Sequence, residues 1–341
     1  MYDAAAGLEA EMRLGIRASM GSDWKQSLEK VQIAEDLGFE MVADGEAWGT
    51  SAIPWFTILA LNTSKIQIAS SILNNFSRTP AALAQDFAVL DQLSDGRMIL
   101  GLGSSGEFVI EHFHGIKFEK PLQRLREYVE IFNILISGEK LNYDGEIFKM
   151  ERGFQLAYER PRNKIPVYIA GITPKSIFQT GEVADGIIPI HWPKEHFGTL
   201  RSELAAGADA AGRSVDELTI VAQTNTFVLD GDNDEEVWQS ARMPLWHYIN
   251  RMGVFYWQML ERNGFGAEVA ASKAAWAERD REGAINAISD EMVRSIEPIG
   301  PVESVREQLQ ERAELGADVQ MLYMPPGDPA DVGHRLEALI K

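Results

Sequence analysis

KIQIASSILNNFSRTPAALAQDFAVLDQLSDGRMILGLGSSGE (Lys65–Glu107) is the stretch whose reading decides the fold. IQIASSIL is a β-branched strand that runs into a Ser/Asn loop. Pro80–Leu93 follows with apolar residues at helical spacing, and its proline sits at the first helical position, where the missing N–H does no harm. RMILGLG then returns to strand and ends in glycines. Strand, helix and strand at this spacing form a βαβ unit, so the two strands are parallel. They deliver small polar residues (Ser70–Asn74 and Gly103–Gly106) and one carboxylate, Glu107, to the same end of a sheet.

The alternation continues in both directions. Upstream lie a strand over Leu14–Ser19, a helix over Asp23–Leu37 closed by Gly38, a strand over Phe39–Asp44 and a helix over Ile53–Asn62. Downstream come a helix over Pro121–Ser137, a turn-rich YDGEIFKM segment that reads as a β-hairpin, and strands over Ile165–Gly171, Asp185–Ile190 and Leu218–Leu229. Helices over Lys175–Glu182 and Lys194–Gly212 separate those strands. A helix over Val302–Leu315, a last strand over Asp318–Met324 and a closing helix containing Leu336–Ile340 complete the chain. Eight such units in 341 residues predict a (β/α)8 TIM barrel. Residues 1–12 read as a flexible extension, 13–341 as one barrel domain, and about 230–300 as a helical insertion. Within the insertion, Pro244–Leu260 is unusually aromatic; it reads as extra core, or as a lid or subunit contact.

An open doubly wound sheet is the competing architecture, and GLGSSG (Gly101–Gly106) matches its G-x-G-x-x-G fingerprint. The match follows the fourth strand rather than the first, and EFVIEHFHG does not read as a clean helix. No acid closes a second strand at the required distance. The glycines instead let backbone approach a ligand closely.

Composition narrows the function classes. With 45% hydrophobic and 24% charged residues the chain resembles an average globular protein. The net charge of −19 argues against nucleic acid and anionic membrane as partners. There are no cysteines, which excludes disulfides and thiol chemistry. No apolar run reaches the length of a membrane span, and the first residues lack the features of a secretory signal, so a cytoplasmic protein is expected.

In a barrel, function gathers at the C-terminal ends of the strands. Those ends carry Arg17 and Ser19, Asp44 and Glu46, Ser70–Asn74, Gly103–Glu107, Ala170–Thr173, Ile190–Trp192 with His191, Thr224–Asn225 and Met324–Pro325. No nucleophile–base–orienter set appears among them. His112 and His114 lack a third metal ligand, and DGDNDE (Asp230–Glu235) lacks the glycine of a calcium loop, so no metal is expected. What remains is small, polar and rich in backbone, suited to a flat cofactor that carries its own chemistry. Asp44 reads as functional, or as a helix cap or partner of Arg17; Glu107 reads as functional, or as a solvated loop acid. Gly171–Lys175 joins a strand to a helix N-terminus, a natural phosphate seat.

These stretches resemble the luciferase-like flavin and deazaflavin oxidoreductases. IASSILNNFSRTPAALAQDFAVLDQLSDGRMILGLGSSGE is similar to their Arg-x-Pro helix start, Leu-Asp-x-Leu-Ser-x-Gly-Arg turn and Gly-x-Gly strand end. GFEMVAD, PVYIAGITPKSIFQTGEVADGII and AGRSVDEL agree as well. ISDEMVRSIEPIGPVESVREQLQERAELGADVQMLY resembles the end of the methylenetetrahydromethanopterin reductases. The resemblance implies a dimeric barrel that holds coenzyme F420, or alternatively FMN, at its C-terminal face. Ser71-Ile72 would be a non-prolyl cis peptide behind the ring, with Asn74 and Gly103 beside it and Asp44 at the ring's polar edge. Ser104, Ser105 and Gly106 would meet the cofactor tail, and Ala170, Gly171 and Ile172 its phosphate. Glu107, Asp44 or Glu46 would manage a proton, while Arg17, Trp48 and His191 would face the substrate.

Two departures stand out. Gly45 occupies a position where relatives often have histidine, and Arg17 one where the pterin reductases have glutamate. The expected activity is F420-dependent hydride transfer to or from a small organic substrate, a pterin-like one among the candidates. An FMN-dependent monooxygenase or reductase and a non-catalytic flavin-binding protein are the alternatives.

Overall fold

The structure, a computed structural model, describes residues 11–341. The expected extension over residues 1–12 therefore lies almost wholly outside the described residues. Eight parallel strands close on themselves: β1 (Leu14–Arg17), β2 (Met41–Asp44), β3 (Gln67–Ser70), β4 (Met98–Gly103), β5 (Val167–Ile169), β6 (Gly186–Ile187), β7 (Thr219–Gln223) and β8 (Val319–Tyr323). β8 pairs with β1, and β3 pairs with β4 to complete the ring. Helices cover the outside, so the fold is a (β/α)8 barrel.

Alternation along the strands decides what the barrel contains. Met41, Ala43, Ala69, Ile99, Tyr168, Val221, Val319 and Met321 form an inner cluster, while Ile16, Val42, Ile68, Leu100 and Leu322 belong to the outer core beneath the helices. Inside space is tight: a Cβ on Gly101 would lie 1.8 Å from the Ser70 carbonyl oxygen, and one on Gly15 2.2 Å from the Met321 sulfur. Parity then places Arg17, Gln223 and Tyr323 on the inner side at the strand ends. Arg17 is in register with Tyr323, and Gln223 with Met321.

Helix boundaries follow local chemistry. Pro80–Leu93 starts at a proline behind Thr79, whose hydroxyl accepts from the Ala82 N–H. Pro121–Ser137 ends at Gly138, whose φ of 82° suits glycine. The hairpin pairs Leu141–Asp144 with Lys149–Phe154, and the Glu127 carboxylate accepts from the backbone N–H groups of Glu146, Ile147 and Phe148 in its turn.

The insertion holds helices over Asp234–Arg251, Val254–Leu260, Gly266–Ala277, Arg281–Asn286 and Asp290–Ile296. Leu245, Trp246, Ile249, Met259 and Leu260 are buried in one cluster with Trp192, Phe197, Leu204 and Ile220 of the barrel. Each such side chain contributes on the order of 1.5–3 kcal/mol on burial, which fastens the insertion to the β6–β7 side.

Two expectations need correction. Leu218–Leu229 is not one strand: β7 stops at Gln223, and Phe227–Val228 pairs with Ile299–Gly300 outside the barrel. The Glu297 carboxylate accepts from the Asn225 backbone N–H at 2.6 Å, which holds the chain as it leaves the barrel. EFVIEH does form a short helix, Glu107–His112, with Val109 and Ile110 buried. The fingerprint nevertheless fails, because its glycines close the fourth strand of a closed barrel rather than the first of an open sheet.

Candidate active site at the C-terminal face of the barrel

The peptide between Ser71 and Ile72, just past β3, is cis. Its surroundings are packed with backbone. A Cβ on Gly45 would meet the Ser71 oxygen and the Ile72 nitrogen at 2.6 Å, and one on Gly103 would meet the Ile72 Cδ1 at 2.7 Å and the Ala170 Cβ at 3.2 Å. Gly45, Ser71, Ile72, Gly103 and Ala170 therefore form one close-packed platform across β2 to β5. Two glycines and a backbone peptide make up most of it, which suits close approach of a planar ring.

Asp44 stands at one edge of this platform. It is 9% exposed, and its Oδ1 accepts from the Ser19 hydroxyl at 2.7 Å and the Gly45 N–H at 2.9 Å. Burial pushes its carboxyl above the ordinary aspartate range, outweighing those hydrogen bonds and the nearby Arg17 charge. Glu46 behaves oppositely. Burial acts to raise it, but two hydrogen bonds from Arg78, at 2.6 and 3.0 Å, and the Ala52 N–H hold it below the usual range. Glu107 is exposed in the first turn of its short helix, beside the exposed Phe108.

On the other side of the mouth Arg17 gathers three neutral acceptors. It donates to the Tyr323 hydroxyl at 2.6 Å, the Gln223 Oε1 at 3.1 Å and the Ser71 carbonyl at 3.4 Å. Gln223 in turn donates to the Ser71 hydroxyl. The guanidinium is thus held by neutral partners, and among the described residues no carboxylate forms an ion pair with it. Burial raises the phenol of Tyr248, from the insertion, above the ordinary range; the neighbouring Tyr256 and Tyr323 act in the same direction and the Arg17 charge against it.

The remaining predicted residues divide. Asn74 is buried, and its Oδ1 accepts from the Phe76 and Ser77 N–H groups, so it shapes the loop after the platform. Ser104 lies 3.5 Å from the Pro121 carbonyl, and Ser105 has a φ of 59°. Gly171 and Ile172 precede Thr173, which caps the helix Pro174–Val183 in a reciprocal pair with Ser176. Arg262 of the insertion donates to the Ile172 carbonyl at 3.2 Å and so brings a cation to this loop. Trp48 is 59% exposed. His191 is buried, with its ring edge-on to Tyr248 at 4.6 Å between centroids. Among the described residues, no group of three or more His, Asp or Glu could hold a metal ion, and no helix is long and apolar enough to cross a membrane.

Sequence reading missed Gln223, Tyr248, Glu297, Tyr323 and Arg262. Strand parity alone could have found Gln223 and Tyr323, and the aromatic Pro244–Leu260 stretch marks the region of Tyr248 without singling it out; nothing local marks Glu297 or Arg262.

A closed parallel barrel with a glycine-packed platform and a fixed cation at its C-terminal mouth is the architecture of a ligand-binding barrel enzyme. The chain belongs to the luciferase-like monooxygenase family, whose profile matches residues 8–319. It is 30% identical to 5,10-methylenetetrahydromethanopterin reductase of Archaeoglobus fulgidus over 87% of this chain and 89% of that protein. It is 29% identical to a putative coenzyme F420-dependent oxidoreductase of Mycobacterium tuberculosis, over 89% of this chain and 92% of the other. Among solved structures, the F420-dependent tetrahydromethanopterin reductase of Methanopyrus kandleri superposes with a TM-score of 0.81 at 23% identity, covering 97% of each chain.

Proposed function

We propose that the protein is an F420-dependent oxidoreductase that transfers a hydride between the deazaflavin and a small organic substrate. The observation that carries this reading is the platform of Gly45, Ser71-Ile72, Gly103 and Ala170, flanked by the buried Asp44 carboxyl, in a chain similar along most of its length to proteins named for F420. The residues fit the group. The platform supports a planar ring, Asp44 meets its polar edge, and Ser104, Ser105 and Gly106 line the path of its tail. Gly171 and Ile172, with Arg262 behind them, suit its phosphate.

A bound deazaflavin supplies the hydride chemistry, and the protein supplies placement and charge. Arg17, held by Tyr323, Gln223 and Ser71, faces the substrate and stabilises an oxygen on which negative charge develops. Of the three carboxylates expected to manage a proton, Asp44 is the one that burial holds toward its protonated form. Glu46 is committed to Arg78, and Glu107 is solvated. Trp48 and His191 complete the substrate side. The assembly implied by the family resemblance is a homodimer.

Fluorescence titration of the purified protein with F420 and with FMN tests the reading, followed by turnover with the reduced and oxidised cofactor. The expected result is saturable F420 binding and cofactor-dependent conversion. FMN binding without F420 binding would replace this reading with an FMN-dependent one.

A further inference from the structure

His191 directly follows Ile190, which bridges Gln223 on β7, so the ring sits at the barrel mouth beside the strand that holds Arg17. It is 4% exposed, and its backbone adopts a φ of 50°. Its Nδ1 lies 3.3 Å from the Glu297 Oε1, and Glu297 is itself 1% exposed. That carboxylate is fixed from behind: Asn225 donates to it through its backbone N–H at 2.6 Å and its side-chain amide at 3.3 Å. Arg312, fully buried and charge-coupled to Glu297 and Glu195, donates to the Ser295 carbonyl at 3.2 Å.

Neither ring nitrogen makes a hydrogen bond among the described residues: Nδ1 has the Glu297 carboxylate within reach at 3.3 Å, and Nε2, on the far side of the ring, has no partner. A buried ring nitrogen without a partner is costly unless a ligand supplies one. The ring packs on Tyr248, which links it to Tyr256, Tyr323 and Arg17. A carboxylate this close to Nδ1 favours the tautomer with the proton there, since a small turn of the ring closes that hydrogen bond and leaves the Nε2 lone pair for a substrate hydrogen.

We propose that His191, oriented by Glu297, is the catalytic residue that exchanges the substrate's proton, and that the substrate is an alcohol/carbonyl pair. This rests on the F420-dependent reading above and deepens it. In the oxidative direction the substrate's carbon-bound hydrogen leaves with two electrons as hydride to the cofactor. Its hydroxyl proton passes to His191 Nε2, the carbon–oxygen bond becomes double, and the proton is released to solvent; reduction runs the same balance backwards. Glu297 is a positioning residue. The second strand offers no alternative at Gly45, where a Cβ would already meet backbone at 2.6 Å. The titratable groups against the ring are Glu297 and Tyr248; Arg312, with Glu195 near it, acts on Glu297, and Arg17 is reached through Tyr248.

Two measurements test the proposal. The first is side-chain 15N NMR of the histidines in the unliganded protein. The His191 signals are identified by their loss in His191→Asn, a replacement that tolerates the left-handed backbone. Nδ1 should carry the proton in the neutral ring, and Glu297→Gln should abolish that preference. A proton on Nε2, or indifference to Glu297→Gln, overturns the dyad whatever the cofactor proves to be.

The second is turnover of the F420-loaded enzyme with secondary alcohols from 2-propanol upward and their ketones. His191→Asn should lower kcat about 100-fold or more, as loss of a general acid/base does. It should leave F420 affinity and KM nearly unchanged, remove one limb of the pH profile and respond to added imidazole. Glu297→Gln should shift that limb. F420 binding without turnover of any alcohol or ketone overturns the substrate class, and unchanged kcat in His191→Asn overturns the role. Loss of F420 binding by the wild type would instead remove the underlying cofactor reading, while the NMR result still decides the dyad.

Discussion

Adding a single methyl group at Gly45 tests the platform directly. The ideal Cβ would lie 2.6 Å from both the Ser71 oxygen and the Ile72 nitrogen, and 2.7 Å from the Ser71 carbonyl carbon. Ordinary contact begins near 3.4 Å, so the groups must separate by 0.8 Å (3.4 minus 2.6). All three atoms are backbone, and no side chain can swing aside to relieve the overlap. The Ser71–Ile72 peptide must move, and it is tied to Arg17 and Gln223 through the Ser71 oxygens. Overpacking of this kind costs about 1–3 kcal/mol. If that cost falls on the bound geometry, Gly45→Ala weakens F420 binding by about five- to 150-fold, at about 1.4 kcal/mol per factor of ten. Fluorescence titration measures the loss, and a thermal melt shows how much of the strain is relieved in the free protein. Gly49→Ala is the control, since nothing lies within 4 Å of its Cβ position. Wild-type affinity together with a wild-type melting temperature in Gly45→Ala would refute the close-packed platform.

Two further substitutions read the carboxylates. Because burial raises the Asp44 pKa, its protonated form contributes stability at low pH that is lost as pH rises through the folded value. Asp44→Asn keeps an oxygen for Ser19 and Gly45, so it should melt no lower than wild type at neutral pH, with any advantage vanishing in acid. It should also bind F420 about two- to tenfold more weakly, in line with losing a hydrogen bond of about 0.5–1.5 kcal/mol. The depressed Glu46 pKa works the other way: its stability is present above the ordinary glutamate range and is lost as pH falls through the folded value. Glu46→Gln leaves Arg78 with the Asp86 carboxylate at 3.6 Å and the Ser51 hydroxyl at 3.4 Å, and should cost about 1–3 kcal/mol at neutral pH, somewhat less than a fully buried pair. Urea denaturation at neutral and acid pH should show the variant losing the pH dependence, and turnover should survive.

The parts of this molecule visible in its sequence are those decided by near neighbours. The helices Ile53–Asn62, Pro80–Leu93 and Pro121–Ser137 begin and end where their prolines, caps and Gly138 place them. The barrel follows from strand–helix spacing, because parallel neighbours need a crossover. What failed was decided by distant residues. The β-branched run Leu218–Leu229 carries no mark of the point at which β7 leaves the barrel. The Asn225–Glu297 bond sets that exit, and its partners lie on different elements. Glu46 reads as a free acid until Arg78 is seen against it. Arg17 shows the opposite case: its need for partners is legible, but Tyr323 and Gln223 emerge only when closure of the barrel puts β8 and β7 beside β1.

The two sides of the mouth therefore differ in origin. The platform side comes from consecutive strands, β2 to β5, and packs Gly45 against backbone and Gly103 against the Ile72 and Ala170 side chains, so in this chain it has little room for change at either glycine. The opposite side is assembled from β1, β7, β8, the residue after β6 and the helical insertion, largely through side chains that touch one another. Exchanging those side chains leaves the barrel core intact, because Arg17, Gln223 and Tyr323 sit at strand ends above the inner layer of Met41, Ile99, Val221 and Met321. Substrate choice can thus vary while the cofactor platform stays constant. The insertion belongs to both regimes. Leu245, Trp246 and Ile249 anchor it in the core, and Tyr248, on the same helix, reaches the His191 ring. A change that loosens that anchor would act on the His191–Glu297 pair before it reached the platform.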